Sequence, residues 1–297
     1  MRGFDPAVDL LGGDPTMRVS FVLTAAMICV SPIPAAANWF YTTSDVGIAA
    51  ELVGTDLVSG IGANRTYRIW AVMPEDWRVD AVAGNSELGM RFEVIGGTFY
   101  QNAFGGATST SINASFFALD PDLEWDSYLT IGALESTNNE LNNIGVDWDA
   151  FEASGNLIDA DNGSFFVLPT DAQGDATAFS DACGRAGDGV LLAQMTLVGE
   201  GATLEGSVLL QGHDDLGATF QAHITSFAID AEGVSDALPQ VICEADITGD
   251  DEVNILDLLD LLGHWFDGSC EDLTRDLIVD VDDLLLLVDS WGPCPVE

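Results

Sequence analysis

The sequence contains no lysine, and its basic side chains are eight arginines and three histidines. Against them stand 49 acidic residues, which give the 297-residue chain a formal net charge of −41. Because nucleic acids and anionic membranes are bound through cations that replace phosphate counterions, this charge excludes a nucleic-acid partner. It indicates binding of divalent cations, or life in a saline medium that screens self-repulsion. An ordinary acidic surface of a secreted protein explains it equally well.

The sequence also lacks an apolar run of the roughly 20 residues that span a bilayer. The apolar stretch 19–30 is shorter, follows Arg18, and ends before prolines and the small residues 35–37. This order is typical of a secretory signal peptide. We therefore interpret residues 1–37 as a signal peptide whose true start is Met17. We expect a secreted or cell-surface protein without membrane insertion after signal cleavage.

Catalytic signatures are absent: there is no G-x-S-x-G, no H-E-x-x-H and no Walker loop. The acid pairs Glu124/Asp126 and Asp147/Asp149 offer the two carboxylates that a glycosidase needs. With 49 acids in the chain, however, such pairs arise by chance. The sequence favours a protein that is not an enzyme, with a divergent glycoside hydrolase as the alternative.

Aromatic and histidine side chains offer two further candidates in the same region. Trp125 and Trp148, each flanked by acids, are candidates for a sugar-stacking face, although packing within a sheet is the more frequent role of such rings. His213 and His223 lie on neighbouring predicted strands and are candidates for a metal pair. Histidines that are solvated or buried in a core are more frequent than such pairs.

Cysteines are few, and most of them are near the C-terminus. Cys29 leaves with the signal, and the other four are Cys183, Cys243, Cys270 and Cys294. Four cysteines allow three disulfide connectivities, which the sequence does not distinguish. A bridge within the C-terminal trio fits a small oxidised domain, and Cys243 to Cys294 would clasp its two ends.

The C-terminal residues 243–297 contain an internal repeat with an offset of 26 residues. In each copy a twelve-residue acidic loop is followed by a leucine-rich run and a tryptophan, Trp265 and Trp291 respectively. Oxygen-bearing side chains occupy loop positions 1, 3, 5, 9 and 12, and the carbonyl of position 7 adds another oxygen. This alternation suits calcium, which takes six to eight oxygen ligands from a loop that wraps around it. The predicted ligands are Asp246, Thr248, Asp250, Glu252 (carbonyl), Asn254 and Asp257 in the first loop, and Asp272, Thr274, Asp276, Ile278 (carbonyl), Asp280 and Asp283 in the second.

We expect the leucine-rich runs to form helices and both tryptophans to close a common core. Val253 and Val279, at position 8 of each loop, are expected to pair as a short β-bridge.

These residues resemble the dockerin type I family, whose doublets read D-x-N-x-D-G-x-x-N-x-x-D, each followed by a helix. The resemblance implies calcium-dependent folding, with the last aspartate of each loop chelating through both oxygens. It also implies docking to a cohesin-like scaffold module, as in assemblies that degrade polysaccharide.

The chain departs from the family pattern at position 6, where Asp251 and Leu277 replace glycine. A leucine in left-handed geometry costs about 1–2 kcal/mol, so we expect the first loop to bind more dependably. The partner-reading positions before the last aspartate are also unusual, being Ile255-Leu256 and Val281-Asp282.

Residues 38–235 alternate between apolar and polar side chains in short runs separated by turns, which predicts an antiparallel β-sandwich. The predicted strands are 66–73, 77–83, 127–134, 189–198, 202–211 and 219–229. A linker at 236–242 would join this domain to the small α-helical doublet.

The stretch that begins at Phe99 and runs to residue 134 resembles a β-rich region of uncharacterised secreted bacterial proteins. We therefore expect a non-enzymatic protein with a binding or structural β-domain, attached to a scaffold or cell surface. The alternative is a component that binds or degrades polysaccharide.

Overall fold

The computed structural model describes residues 45–180, 186–231, 233, 245–248, 252–266, 271–274 and 278–294. Across these residues the protein is mainly β, and the ladders between its strands are antiparallel, as the sequence predicts. The strands are β1 (Gly47–Thr55), β2 (Asn64–Val72), β3 (Arg78–Gly84), β4 (Met90–Ile95), β5 (Thr98–Phe99), β6 (Tyr128–Leu129), β7 (Asn142–Ile144), β8 (Leu157–Ala160), β9 (Gly163–Phe166), β10 (Thr177–Ser180), β11 (Ala186–Val198), β12 (Thr203–His213), β13 (Thr219–Ile229), β14 (Glu252–Val253) and β15 (Gly292–Pro293).

The predicted signal peptide and the predicted linker lie outside the described residues.

The helices of the described residues are short. The α-helices are α1 (Trp148–Ser154), α2 (Ile255–Gly263) and α3 (Val281–Asp289), and the 3-10 helices span Ser109–Ser111, Ala114–Phe116, Pro121–Trp125 and Ala172–Gly174. Helices α2 and α3 confirm the two helices expected after the acidic loops.

The first sheet is organised around β11, the longest strand. Strand β2 pairs with β11 from Asn64 to Val72 and carries β1 on its far side. The opposite edge of β11 is shared by β10, β6 and β5, which follow one another along it. The register shifts between Leu191 and Ala193, so β11 carries a bulge near its middle.

The second sheet is organised around β12 in the same way. Strand β13 pairs with one edge, whereas β3 and β4 follow one another along the other edge. Strand β9 adds to β3, β7 adds to β9, and β8 adds to β4. Strands β12 and β3 approach so closely at Gly212 that a Cβ there would lie 1.8 Å from the carbonyl oxygen of Arg78, which requires glycine.

Inward-facing side chains of both sheets belong to one hydrophobic cluster. Alternate residues of each central strand enter it, as a half-buried strand requires. From the first sheet come Ile48, Ala50, Tyr67, Ile69, Ala71, Val190, Leu192 and Leu197, and from the second come Val79, Val82, Met90, Phe92, Val94, Leu204, Val208, Leu210, Phe220, Ala222, Phe227 and Ile229.

One predicted strand is mostly irregular. Of the run 127–134, only Tyr128–Leu129 forms a strand. The Thr130 hydroxyl donates to the carbonyl oxygen of Ala133 at 2.6 Å, and Gly132 has a φ of +69°. These features turn the chain out of the sheet immediately after β6.

A seam of buried polar side chains joins the irregular segment 100–141 to β11. The Gln194 amide donates to the carbonyl oxygen of Glu124 at 2.8 Å, and the Thr196 hydroxyl donates to that of Trp125 at 2.5 Å. The Thr196 amide in turn donates to the hydroxyl of Ser127. Asp126, which lies between Trp125 and Ser127, is held by this seam in a fully buried position.

Candidate metal centre

The structure describes ten of the twelve predicted calcium ligands. The ligands Asp250 and Asp276, and the position 6 residues Asp251 and Leu277, lie outside the described residues. The first, third, seventh, ninth and twelfth positions of each loop are described.

In the first loop, Asp257 is both the twelfth loop position and the third residue of α2. Its Oδ1 accepts hydrogen bonds from the backbone N–H and the hydroxyl of Thr248, both at 2.9 Å. Its Oδ2 accepts from the backbone N–H of Asn254 at 2.7 Å. Asn254 caps the helix, since its Oδ1 accepts from Leu256 N at 2.7 Å. This reciprocal capping box ties the start of the helix to the acidic loop.

The second loop repeats this arrangement with Asp283. Its Oδ1 accepts from the backbone N–H of Thr274 at 2.8 Å, and its Oδ2 accepts from that of Asp280 at 2.7 Å. Asp280 caps α3 by accepting from Asp282 N. The Thr274 hydroxyl donates to Asp272 Oδ1 at 3.2 Å. In each predicted loop the threonine at position 3 therefore lies beside the aspartate at position 12.

Asp257 and Asp283 are fully buried, yet the structure keeps them ionised. Burial alone would raise the pKa of each carboxyl, but the N–H groups that they accept from outweigh it and lower each pKa below its ordinary value. Within the described residues, no arginine or histidine lies at ion-pair distance from either group. Two buried negative charges without a cationic side chain make this a candidate cation site.

The remaining described ligands lie on the same two loops. Asp246 and Asp272 begin them, and Asp272 is nearly buried. The carbonyl oxygen of Glu252 accepts from the Asn254 side chain at 2.9 Å, which places positions 7 and 9 of the first loop together. Ile278, at position 7 of the second loop, is partly exposed. The donor set is one of carboxylate, hydroxyl, amide and carbonyl oxygens, which fits calcium.

The two ends of the doublet lie together. Strand β14 pairs with β15, so that Val253 lies opposite Gly292. The predicted β-bridge between Val253 and Val279 is therefore wrong: within the described residues Val279 has no ladder partner, and its carbonyl accepts from Phe266 N at 2.9 Å. Both valines are instead fully buried in one cluster, because each points inward from its loop.

Cys294 follows β15, with its Sγ 3.6 Å from Asp246 Oδ2. It is half of a disulfide, and its partner lies outside the described residues. Cys183, Cys243 and Cys270 also lie outside them, so the pairing of Cys243 with Cys294 stays a prediction.

The two repeated tryptophans have different environments. Trp265 packs against the buried cluster of the doublet, as expected. Trp291 is 49% exposed and lies outside that cluster, so the prediction that both tryptophans close the core is wrong for Trp291. The difference follows from β15, which begins directly after Trp291 and directs the chain back to β14.

Each helix of the doublet has a buried apolar face and an exposed apolar face. Leu261 and Leu287 are fully buried at equivalent positions of the repeat. Three equivalent pairs on the opposite face are 47–60% exposed, and the unusual residue Leu256 is 52% exposed. The exposed pairs are Ile255 and Val281, Leu259 and Leu285, and Leu262 and Val288. An apolar surface that the fold duplicates is typical of a binding surface.

A third group of ligating side chains lies within the doublet, outside its two loops, and was not predicted. Asp260, His264 and Glu271 each offer one ligand atom, and these atoms lie within 4.8 Å of one another. Its only sequence signal is the four-residue spacing of Asp260 and His264 at the end of α2.

In the β-domain, the two predicted candidate histidines do not meet. His213 pairs with Thr219 across β12 and β13, whereas His223 pairs with Leu209, four register positions away. His213 Nδ1 instead contacts Asp80 Oδ2, and Asp80 also forms an ion pair with Arg78 at 2.8 Å. A cavity of about 410 Å³ opens here, lined by Asp80, Gln211, Gly212, His213, Thr219, Phe220 and Gln221.

The predicted acid pair Glu124/Asp126 does not present two accessible carboxylates. Asp126 is fully buried, and its two oxygens accept from the backbone N–H groups of Asn102 and Gly106 at 2.7 and 3.0 Å. Burial, with a smaller contribution from the charge of Glu152, raises its pKa to about 7. Asp126 is therefore held by the fold rather than presented to a ligand.

Asp147 and Asp149 are exposed, and Trp148 between them packs against the main hydrophobic cluster while its Nε1 donates to Asn143 Oδ1 at 2.9 Å. Trp125 is partly buried on the last turn of its 3-10 helix. The Trp148 ring therefore belongs to the packing of the domain, which was the alternative to a sugar-stacking face, whereas for Trp125 the sugar-stacking face stays a prediction.

No family model, curated protein or solved structure matches the chain. Among the described helices, none combines the length and the hydropathy needed to cross a bilayer.

Proposed function

We propose that the chain is a secreted, non-enzymatic protein whose β-sandwich domain, of binding or structural type, is attached to a scaffold or cell surface through a calcium-binding, dockerin-like doublet. The observation that carries the proposal is the repeated position of Asp257 and Asp283, each buried, ionised and tied to the third position of its own loop.

The β-sandwich is supported by the shared core. Two antiparallel sheets with separate central strands contribute inward-facing residues to a single cluster, which is the architecture of packed sheets.

Calcium is supported by charge as well as by donor type. A buried carboxylate without a cationic partner is costly, and a bound divalent cation removes that cost. When bound, calcium would link the start of each helix to its loop, because the same aspartate serves the capping box and the predicted ligand set. Calcium binding and helix formation are then thermodynamically coupled.

Attachment to a partner is supported by the exposed apolar faces of α2 and α3. The doublet buries its own small cluster through the opposite faces, so the exposed pairs are not needed for its core. A cohesin-like module is the proposed partner, because the duplicated helices resemble those of a dockerin.

We expect the double substitution Leu259→Asp with Leu285→Asp to abolish retention of the full chain on its producing cells or scaffold, because it places two charges within the exposed apolar faces. Calcium titration by calorimetry should be unchanged, since neither side chain belongs to a loop.

The matched control is Leu216→Asp, at an exposed leucine of the β-domain, which should be retained normally. Retention of the double variant, or its loss in the control as well, would contradict attachment through these helices.

A second candidate function, binding of polysaccharide by the β-domain, is favoured by the cavity beside His213. Its lining of two glutamines, a carboxylate and an aromatic ring is of the kind that binds neutral polar ligands. We expect the full chain to sediment with insoluble glycans, and Gln211→Ala with Gln221→Ala to weaken this. Thr98→Ala, at an exposed residue remote in sequence, is the control. Equal sedimentation of all three proteins would contradict a ligand in this cavity.

A further inference from the structure

We propose that Asp260, His264 and Glu271 form a site for a borderline transition-metal ion such as Zn²⁺, separate from the two predicted calcium loops. Asp260 and His264 are four residues apart at the C-terminal end of α2, which places both side chains on one face. Glu271 approaches from the segment that precedes the second loop, with its Oε2 3.3 Å from His264 Nδ1. Ligand atoms from the three residues lie within 4.8 Å of one another.

These distances are close to those of a coordinated ion. Ligands at about 2.0–2.2 Å from zinc in a tetrahedral site lie roughly 3.5 Å apart, by the geometry of the coordination sphere. The His264–Glu271 separation of 3.3 Å matches, and the other separations, which are within 4.8 Å, would shorten as an ion binds. Glu271 is nearly buried, whereas the imidazole is 41% exposed, so the ion would be reached from the His264 side.

The donor set distinguishes this site from the loops. Calcium prefers a shell of six to eight oxygens, whereas a neutral imidazole nitrogen favours zinc and its neighbours in the first transition row. One imidazole and two carboxylates give three protein ligands, leaving further positions to water. The two acids also balance the charge of a divalent cation.

The site joins parts of the doublet that are separate in sequence. His264 ends α2, and Glu271 immediately precedes Asp272, the first predicted ligand of the second loop. A metal ion here would fix the path between the two repeats from outside their loops. It would therefore act on the doublet from a site next to the second loop, in addition to the calcium that each loop is proposed to hold.

The test is a calorimetric titration of the full chain with Zn²⁺ in the presence of saturating Ca²⁺, repeated with Co²⁺ to follow its visible absorption. We expect one saturable Zn²⁺ event per chain, and a cobalt spectrum that reports nitrogen and oxygen ligands. Both His264→Ala and Asp260→Asn should weaken the event by at least about tenfold.

His223→Ala is the matched control, because His223 is an exposed histidine of β13, and it should bind as the unchanged chain does. Calcium titration of each variant verifies that the doublet is still folded. The proposal is overturned if calcium-loaded protein shows no saturable Zn²⁺ event, or if the event persists unchanged in His264→Ala. Neither result bears on calcium binding, which the same titrations measure separately.

Discussion

Replacing Asp257 by alanine is expected to remove the stronger of two calcium-binding events and to unfold the start of α2. The variant loses a predicted ligand that chelates through both oxygens. It also leaves the N–H groups of Thr248 and Asn254 without their acceptor. Each hydrogen bond to a charged group contributes about 1.5–3 kcal/mol, so the loss is large for a domain with so small a core.

The measurement is calcium titration of the full chain by calorimetry, with hydrogen exchange of the α2 amides followed in parallel. Asp289→Ala is the control, because it removes the same charge from an exposed position at the end of α3. Two intact events in Asp257→Ala would contradict a calcium loop at this position.

Asp283→Ala should leave the stronger event in place. The backbone bonds to Asp283 match those to Asp257, and the two loops differ in the threonine hydroxyl, which donates to Asp257 in the first loop and to Asp272 in the second. The expected difference comes from Leu277, where the family pattern has glycine. If Asp283→Ala instead removes the stronger event, the ranking of the two loops is reversed.

The free energy of unfolding of the β-domain is expected to fall as the pH rises from about 4 to 7, owing to Asp126. Burial raises the pKa of this carboxyl from 3.8 to about 7, so the folded state holds its proton over a range in which the unfolded state has lost it. The group therefore contributes most stability below pH 3.8, and this contribution is lost as the pH rises through the folded pKa. At 1.36 kcal/mol per pKa unit, the change amounts to roughly 4 kcal/mol.

Urea unfolding of the full chain at several pH values measures this change, and Asp126→Asn isolates it. The amide does not titrate, so the variant should show a flatter dependence between pH 4 and 7. It should also be less stable than the unchanged chain at low pH by about 1–3 kcal/mol, because its amide nitrogen faces an N–H donor where an oxygen of the carboxyl group accepts.

Asp161→Asn, at an exposed residue, is the charge-matched control and should keep the full slope. Equal slopes in the Asp126→Asn variant and the unchanged chain would contradict a raised pKa at Asp126.

The doublet should respond to pH in the opposite direction. The pKa values of Asp257 and Asp283 are lowered, so their contribution to stability is present above the ordinary value and is lost as the pH falls through the folded one. Lowering the pH from 7 to 4 therefore favours the β-domain, whereas the doublet loses this contribution only below the ordinary pKa of 3.8.

Much of the fold was predictable because its signals are local. Alternation identified β2, β3, β11, β12 and β13, and the repeat placed α2 and α3. Strand β4 was missed although it alternates, since it is short and lies between turns. Strand β1 was missed because its first four residues are all buried and do not alternate. The run after Ser127 alternates like a strand, but a side-chain bond from Thr130 ends it.

The candidate sites also differ in how far the sequence predicts them, depending on whether their signals are local. The predicted loop ligands follow a spacing within twelve residues, so the sequence could identify them. The contacts of His213 with Asp80, and of His264 with Glu271, join residues from different segments. Such contacts depend on the register of strands and the path between repeats, which no local pattern encodes.

The exposed apolar faces of α2 and α3 bear on solubility. Their three equivalent pairs are 47–60% exposed and carry no charge. Apolar surfaces of this kind associate with other molecules unless like charge keeps the molecules apart. With no charge in the pairs themselves, the protection must come from the net charge of the whole molecule. Association should therefore become favourable near the isoelectric point of about 4.1, where the net charge vanishes while these faces remain exposed.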